Sequence, residues 1–393
     1  LSQEWEPTAD ALARAEGDDE LEALTRELFA KAISESSSSS QSSSSSRPVV
    51  WIAHDSRPSS PALAAAAKAG AEAGGAEAEL LGEMTTPQLH WLVAAANKGS
   101  KPKPSLEDYY DELARGHAEL VAGTEPLTTK EKKENDKSGG GFLFVDAAAG
   151  VGGGATEKLA AKCAEPGGLL LRVANGPEVS RRDPEALNHR RGSDFVQKTR
   201  ALPDGMKIVS SSSSSFSSSS SANEKEEDET AVVSVPPGAM CASLDGDADR
   251  VVFFSAPATT GEKKNEENEE EKGKVKLLDG DRIASLLALF VKEKILGQLN
   301  EAAEAQGQEG LPLTIGQVQT AYANGASGRY VRSLGVPTKL AKTGVKYVHH
   351  VAVQYDLAVY FEANGHGTLL FSDAAVAALK AALATAQEAG DAT

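Results

Sequence analysis

Val49-Val50-Trp51-Ile52-Ala53 is a short, unbroken apolar run that opens into His54-Asp55-Ser56-Arg57-Pro58-Ser59-Ser60 and then the alanine-rich segment Ala62–Gly74. A run of this length, rich in β-branched and aromatic residues, reads as a buried strand, and the polar loop and alanine segment read as a turn into a helix. The same order returns at Gly141–Val145, Asp146–Gly154 and Ala155–Cys163, with a further strand expected at Gly168–Val173. Downstream, strand-like Leu313–Val318 precedes a loop at Tyr322–Arg329, and Val336–Lys346 reads as another strand and loop. Strand and helix in alternation predict α/β units with crossover helices between parallel strands.

The 393 residues exceed what one core usually holds, so several units are expected. Part of the length is low-complexity. Serine tracts occupy 36–46 and 210–221, and charged stretches occupy 222–230 and 262–274. Residues 206–230 and 257–274 read as disordered, solvated insertions, because serine and glutamate bury too little surface to offset ordering entropy. Lysine-rich 128–141 reads as a linker. These divisions predict a first α/β unit at 1–127 with its serine-rich insertion at 36–46, a second at 142–276, and a third at 277–393. Asp18–Ile33 carries apolar residues at near-helical spacing behind an Asp cap, and amphipathic helices are expected at Asp281–Leu299 and Asp373–Glu388.

The net charge of −17 is concentrated: residues 1–30 hold nine acids against two bases, and 222–230 with 262–274 add eleven against five. The remainder is nearly neutral, with no basic stripe of the kind that binds nucleic acid. No apolar run approaches the ~18–20 residues of a membrane span; the longest is Ala284–Val291. The acidic first residues show no secretory signal, and Cys163 and Cys241 make no disulfide framework and no zinc spacing. A soluble, cytoplasmic protein is expected, with no membrane or nucleic-acid partner. Nothing in the sequence fixes its oligomeric state.

Leu244-Asp245-Gly246-Asp247-Ala248-Asp249-Arg250, ahead of Val251-Val252-Phe253-Phe254, is the sharpest chemical feature. Carboxylates at i, i+2 and i+4, separated by small Gly246 and Ala248, can converge on a hard cation such as Mg²⁺. An EF-hand fails, since Arg250 and Ala256 stand where glycine and glutamate are required. An aspartate-nucleophile phosphatase needs its D-x-D straight after a strand, whereas Pro236-Pro237-Gly238 lies upstream and the strand is expected downstream. A solvated acidic turn is the plain alternative. The second triplet, Asp279-Gly280-Asp281, reads as a helix cap.

Two other loops are rich in function-capable groups. Glu362-Ala363-Asn364-Gly365-His366 places a carboxylate, an amide and an imidazole within five positions, a grip for sugar hydroxyls or a capped turn. Lys342-Thr343-Gly344-Val345-Lys346, with His349 and His350 one turn on, offers phosphate neutralisation and proton transfer, or simply a basic helix start. Arg57 is a candidate phosphate contact or a surface ion-pair partner. Gly150–Gly154 lacks the lysine of a P-loop and the spacing of a dinucleotide fingerprint.

Together these segments resemble the α-D-phosphohexomutases, and within them the branch acting on N-acetylglucosamine phosphates. Asp245–Arg250 is similar to the family's metal loop. Asp55–Ser60, Thr85-Thr86-Pro87-Gln88-Leu89-His90, Leu187-Asn188-His189 and Gly192–Val196 resemble first- and second-domain segments. Gln319–Gly325, Lys342–Lys346 and Val359–Thr368 resemble the N-acetylglucosamine branch most specifically. The resemblance implies consecutive α/β domains with mixed sheets. It also implies an isomerase that interconverts N-acetylglucosamine 6-phosphate and 1-phosphate through a phosphoserine. By the same resemblance, Asp245, Asp247 and Asp249 hold Mg²⁺. Glu362, Asn364, Gly365, His366, Arg250, Thr343 and Gly344 bind substrate, and Lys346 or His349 is the acid/base.

The family's Ser-His-Asn-Pro nucleophile segment and its Arg-Pro-Ser-Gly-Thr-Glu phosphate loop occur nowhere in the sequence. The expectation is therefore a chain that begins after the nucleophile and ends before a fourth domain. It would be inactive alone, either as part of a longer mutase or as a non-catalytic homologue that binds metal and sugar phosphate. A metal-dependent phosphatase stands as the further alternative.

Overall fold

The computed structural model describes residues 23, 27, 47–99, 103–122, 142–163, 170–209, 232–257, 274–305, 307 and 309–391. Most of the helix expected at Asp18–Ile33, both serine tracts, the linker at 128–141 and most of 257–274 lie outside them.

The described residues build three α/β units. In the first, β1 (Val49–His54), α1 (Ser60–Ala73) and β2 (Glu77–Glu83) form a crossover, with β1 parallel to β2. Helices α2 (Thr86–Asn97) and α3 (Leu106–Ala122) follow. The core under this two-stranded sheet is small: Ala71, Ala76 and Ala78 against Val50 and Ile52.

The second unit contains β3 (Phe142–Asp146), α4 (Gly152–Lys162), β4 (Leu170–Ala174), α5 (Pro177–Arg182) and α6 (Ser193–Thr199). Strands β5 (Met206–Ile208), β6 (Val233–Val235), β7 (Met240–Leu244), β8 (Val251–Ser255) and β9 (Lys276–Leu278) complete it. Its main sheet runs β4-β3-β7-β8-β9, parallel across β4, β3 and β7 and antiparallel beyond. Phe144, Cys241, Val252 and Phe254 are fully buried in its core. Two expectations change here. Residues 206–208, read as part of an insertion, pair in parallel with β6, because Met206, Ile208 and Val233 pack on that core. Residues 240–244 form a strand that runs directly into Asp245, although Met-Cys-Ala-Ser-Leu carries little strand signal.

The third unit opens on α7 (Gly280–Phe290), which continues through a π-helical segment (Val291–Gly297) into α8 (Gln298–Ala305). Then come β10 (Ile315–Thr320), α9 (Gly325–Ser333), β11 (Thr338–Ala341), α10 (Val345–Ala352), β12 (Leu357–Phe361), β13 (Gly367–Phe371) and α11 (Asp373–Asp391). Sheet order is β11-β10-β12-β13, with β13 antiparallel to β12. Ala284, Ala288 and Val291 pack with Leu357, Val359 and Phe361. The loop expected at Tyr322–Arg329 gives way after Asn324, whose side-chain oxygen accepts from the Ala326 amide and starts α9. The architecture is α/β with mixed sheets. Among the described residues no helix is long and apolar enough to cross a membrane.

Candidate functional site

Asp245, Asp247 and Asp249 sit in the turn between antiparallel β7 and β8, and one carboxylate oxygen from each lies within 4.8 Å of the others. Small residues make that turn possible. Ala148, Ala149 and Ala248 adopt left-handed backbone with φ of 57°, 60° and 58°, folding the 147–153 segment and the acidic turn against each other. Gly150 packs flat on Gly246: a Cβ there would lie 2.2 Å from the Gly246 carbonyl oxygen. The Val151 amide donates to that same oxygen at 3.1 Å. The glycine-rich stretch, unassigned in sequence, is therefore the seat of the acidic turn.

Beneath it lies Asp146, fully buried, which no sequence signal distinguished. Its Oδ1 accepts from the Ala148 amide (3.1 Å) and Asn175 Nδ2 (2.8 Å). Its Oδ2 accepts from the Gly192 amide (2.7 Å) and Ser243 Oγ (2.5 Å). Burial holds this carboxyl above its ordinary range, against the pull of those four donors. Ser243 precedes the acidic turn by two residues, and Gly192 starts α6, so one carboxylate ties both loops to the end of β3.

Each aspartate of the trio is tethered from a different part of the chain. Asp245 Oδ1 accepts from the Arg250 amide at 3.2 Å, within the turn itself. Asp247 Oδ2 accepts from Thr86 Oγ1 of the first unit at 2.6 Å. Asp249 Oδ2 lies 3.3 Å from His366 Nδ1 of the third. Burial, then the Asp249 and Asp247 charges, push Asp245 up to about 7. Asp249 Oδ1 is buried without a hydrogen-bond partner. An all-oxygen donor set, a strained charge balance and an orphaned oxygen together fit a hard divalent cation. Arg250 lies 3.4 Å from Asp194 and 3.6 Å from both Asp245 and Asp249.

The trio, Arg250, Arg57, Asn188, Asp194 and Lys198 border a cavity of about 620 Å³. Arg57 reaches it while paired with Asp55. The Glu362–His366 loop docks on the acidic turn: the Val251 amide donates to the Gly365 carbonyl at 3.2 Å. A Cβ on Gly365, whose φ is +93°, would meet the Val251 oxygen at 2.1 Å. Behind the loop the Gly280 amide donates to Ala363 at 3.2 Å, so Asp279-Gly280-Asp281 both caps α7, through Asp279, and backs this loop. Within the loop Asn364 Oδ1 accepts from the His366 amide at 3.1 Å.

Glu362 Oε1 accepts from the Gly344 amide at 3.1 Å, which brings Thr343 and Gly344 beside the same loop. Neither the Glu362–His366 loop nor Thr343, Gly344, Lys346 or His349 lines the cavity. Lys346 Nζ lies 4.9 Å from the Tyr347 ring centre, and His349 Nδ1 is 3.4 Å from the Tyr360 hydroxyl.

Comparison with known proteins bears on this arrangement. Residues 279–393 match the family phosphoacetylglucosamine mutase AMG1, domain III, and residues 12–101 match phosphoglucomutase/phosphomannomutase, alpha/beta/alpha domain I. A crystal structure of N-acetylglucosamine-phosphate mutase of the alpha-D-phosphohexomutase superfamily, in the apo-form, is 30% identical with a TM-score of 0.65, the match covering 96% of this chain and 67% of that one. The chain belongs to the phosphoacetylglucosamine mutase family. The Arabidopsis thaliana member is 39% identical over 377 residues, covering 95% of this chain and 56% of the relative. The Homo sapiens member is 34% identical over 378 residues, covering 95% and 55%. The chain thus spans about half the length of the curated family members it matches. An Aspergillus fumigatus member, solved in complex with GlcNAc-6P and magnesium, is 31% identical with a TM-score of 0.65, over 96% of this chain and 60% of that one.

Proposed function

We propose that this chain supplies the cation-binding and sugar-binding parts of a phosphoacetylglucosamine mutase, an isomerase interconverting N-acetylglucosamine 6-phosphate and 1-phosphate. The observation that carries the reading is the docking of the Glu362–His366 loop on the acidic turn, through Val251–Gly365 and His366–Asp249. It puts sugar-type hydrogen-bonding groups beside a three-carboxylate cluster. The Aspergillus relative solved with GlcNAc-6P and magnesium supports it.

Asp245, Asp247 and Asp249 would hold Mg²⁺, which when bound supplies neutralisation of phosphoryl oxygens. Around it the chain's own groups bind and orient. Arg250, fixed among Asp194, Asp245 and Asp249, presents a guanidinium at the cavity edge for a phosphate, and Arg57 presents a second. Glu362, Asn364 and His366 offer acceptor and donor pairs to ring hydroxyls, with Gly365 keeping the loop close to the cation turn. Thr343 and Gly344 lie beside them through the Glu362 contact, and proton transfer is assigned to Lys346 or His349 on α10. A cytoplasmic location accords with this chemistry.

The test is titration of the full chain with MgCl₂ and N-acetylglucosamine 6-phosphate by calorimetry. Saturable binding of both is expected, with Asp245→Asn losing the cation and Glu362→Ala weakening the sugar phosphate at least ~10-fold, the scale of lost charged hydrogen bonds. Absence of sugar-phosphate binding at millimolar concentration would overturn the reading. One observation favours a second reading, a metal-dependent phosphatase using Asp245: β7 runs straight into Asp245. Phosphate release from p-nitrophenyl phosphate, abolished in Asp245→Asn and without sugar bisphosphate formation, would establish it instead.

A further inference from the structure

The Thr85–His90 stretch resembles a family segment, yet no role falls to it from the cation or sugar loops. Thr85 caps α2 with a full capping box: its hydroxyl accepts from the Gln88 amide (3.3 Å) and its own amide donates to Gln88 Oε1 (3.0 Å). Gln88 Nε2 donates onward to the buried Tyr110 hydroxyl at 2.7 Å. Pro87 stiffens the first turn further. Thr86 is therefore held rigidly between them. It uses both of its donors on one residue, 161 positions away. Its amide donates to the Asp247 carbonyl at 3.0 Å and its hydroxyl to Asp247 Oδ2 at 2.6 Å.

Asp247 borders the 620 Å³ cavity on one side and a second cavity of about 360 Å³ against the first unit on the other. Without a fixed partner its carboxylate could turn toward either. Asp245 is steadied inside its own turn and Asp249 by the sugar loop, so the middle aspartate depends on the first unit for its orientation.

We infer that Thr86 is a positioning residue for the cation site, its hydroxyl fixing the Asp247 carboxylate so that the three aspartates converge. This rests on the proposal that the trio binds a divalent cation. Thr86 acts through Asp247, its partner for both donors. Its backbone bond would survive substitution, so the hydroxyl is the variable part. Partners of ligating carboxylates typically contribute about 10–100-fold in metal affinity.

The test measures Mn²⁺ affinity of the full chain by electron paramagnetic resonance, with Mg²⁺ competition, for the parent, Thr86→Val, Thr86→Ser and Asp245→Asn. Thr86→Val keeps the shape and removes the donor, and should weaken Mn²⁺ by ~10-fold or more. Thr86→Ser should restore affinity to within about threefold, under half of a tenfold step in free energy. A merely structural threonine would give no such rescue. Unchanged affinity in Thr86→Val alongside lost affinity in Asp245→Asn would overturn the inference and leave the cation site standing. Unchanged affinity in both would instead remove the cation site itself. Failure of Thr86→Ser to rescue would also overturn it, by assigning the effect to the methyl group. If Thr86→Val does not fold, Thr86→Ala makes the same comparison.

Discussion

The acidic turn at 245–250 and the basic segment at 342–346 carry opposite charge, and the fold holds them very differently. The acidic turn is braced from four directions: by Gly150 and Val151 behind it, Asp146 through Ser243, Thr86 on one flank, and Gly365 and His366 on the other. The basic segment is linked to the sugar loop by the Gly344–Glu362 bond. Its lysines lie over Tyr347, Lys342 at 5.6 Å and Lys346 at 4.9 Å from the ring centre. The difference has a physical cause. Three like charges a few ångströms apart repel, so their geometry must be imposed by the surroundings. Cationic side chains on flexible stems need no such frame and can adjust to a ligand. A rigidly braced acidic turn and a loosely held basic segment are the arrangement this contrast describes.

The strongest test of the bracing is its glycine seat. Gly150→Ala should destabilise the protein by about 4 kcal/mol, because a Cβ would stand 2.2 Å from the Gly246 carbonyl oxygen and 2.6 Å from its Cα, and backbone on both sides must move. Mn²⁺ affinity should fall with it. Gly154, four residues on and inside α4, has open space around its missing side chain. Gly154→Ala should therefore stabilise by about 0.5–1 kcal/mol through helix propensity and unfolded-state entropy. Urea midpoints decide both. Equal effects from the two substitutions would mean that the seat is not braced.

Asp146→Asn comes next, at about 2 kcal/mol. In its better orientation the amide meets Ser243 Oγ acceptably but turns a donor on the Gly192 amide, leaving a buried N–H unpaired. The size depends on pH. Burial raises the folded Asp146 pKa above 3.8, so its contribution is fully present below that value and is lost as pH rises through the raised one. Asparagine does not titrate there. The gap between parent and variant, read from urea midpoints across pH 4 to 8, should narrow as pH rises; a gap that widens would place the ionised form as the one the four donors stabilise.

How much of this was legible beforehand follows the same division. The alternation of apolar runs and helical segments is local, and it places strands at 49–53, 141–145 and 313–318, within two residues of the observed 49–54, 142–146 and 315–320. The acidic turn was legible because its chemistry lies in five consecutive positions. What supports it was not. Thr86, Asp146, Gly150 and His366 meet the turn from elsewhere in the chain, and nothing local distinguishes Asp146 from any aspartate ending a strand. Strand β7 was missed because Met240–Leu244 gains its pairing from β3 and β8 on either side rather than from intrinsic preference. Its presence removes the sequence argument against an Asp245 nucleophile. A glycine run signals what it can bind, whereas Gly150 serves by what it lets approach.

The smallest effect concerns the tether of the basic segment. Glu362→Ala deletes the acceptor for the Gly344 amide and should lower stability by only about 1 kcal/mol, since one partly exposed hydrogen bond is lost and water can replace it. Its signature is local. Gly344 has φ of +113° and starts α10, so loss of the bond should speed amide hydrogen exchange across 342–348. Exchange over 245–251 should stay as in the parent, because the Val251–Gly365 bond and the Gly150 seat do not involve the Glu362 carboxylate. Glu362→Gln keeps an oxygen acceptor and should leave both stretches near the parent. Faster exchange over 245–251 in Glu362→Ala would show that the two regions are one mechanical unit. Exchange confined to 342–348 would mean that the acidic turn keeps its geometry while the basic segment moves.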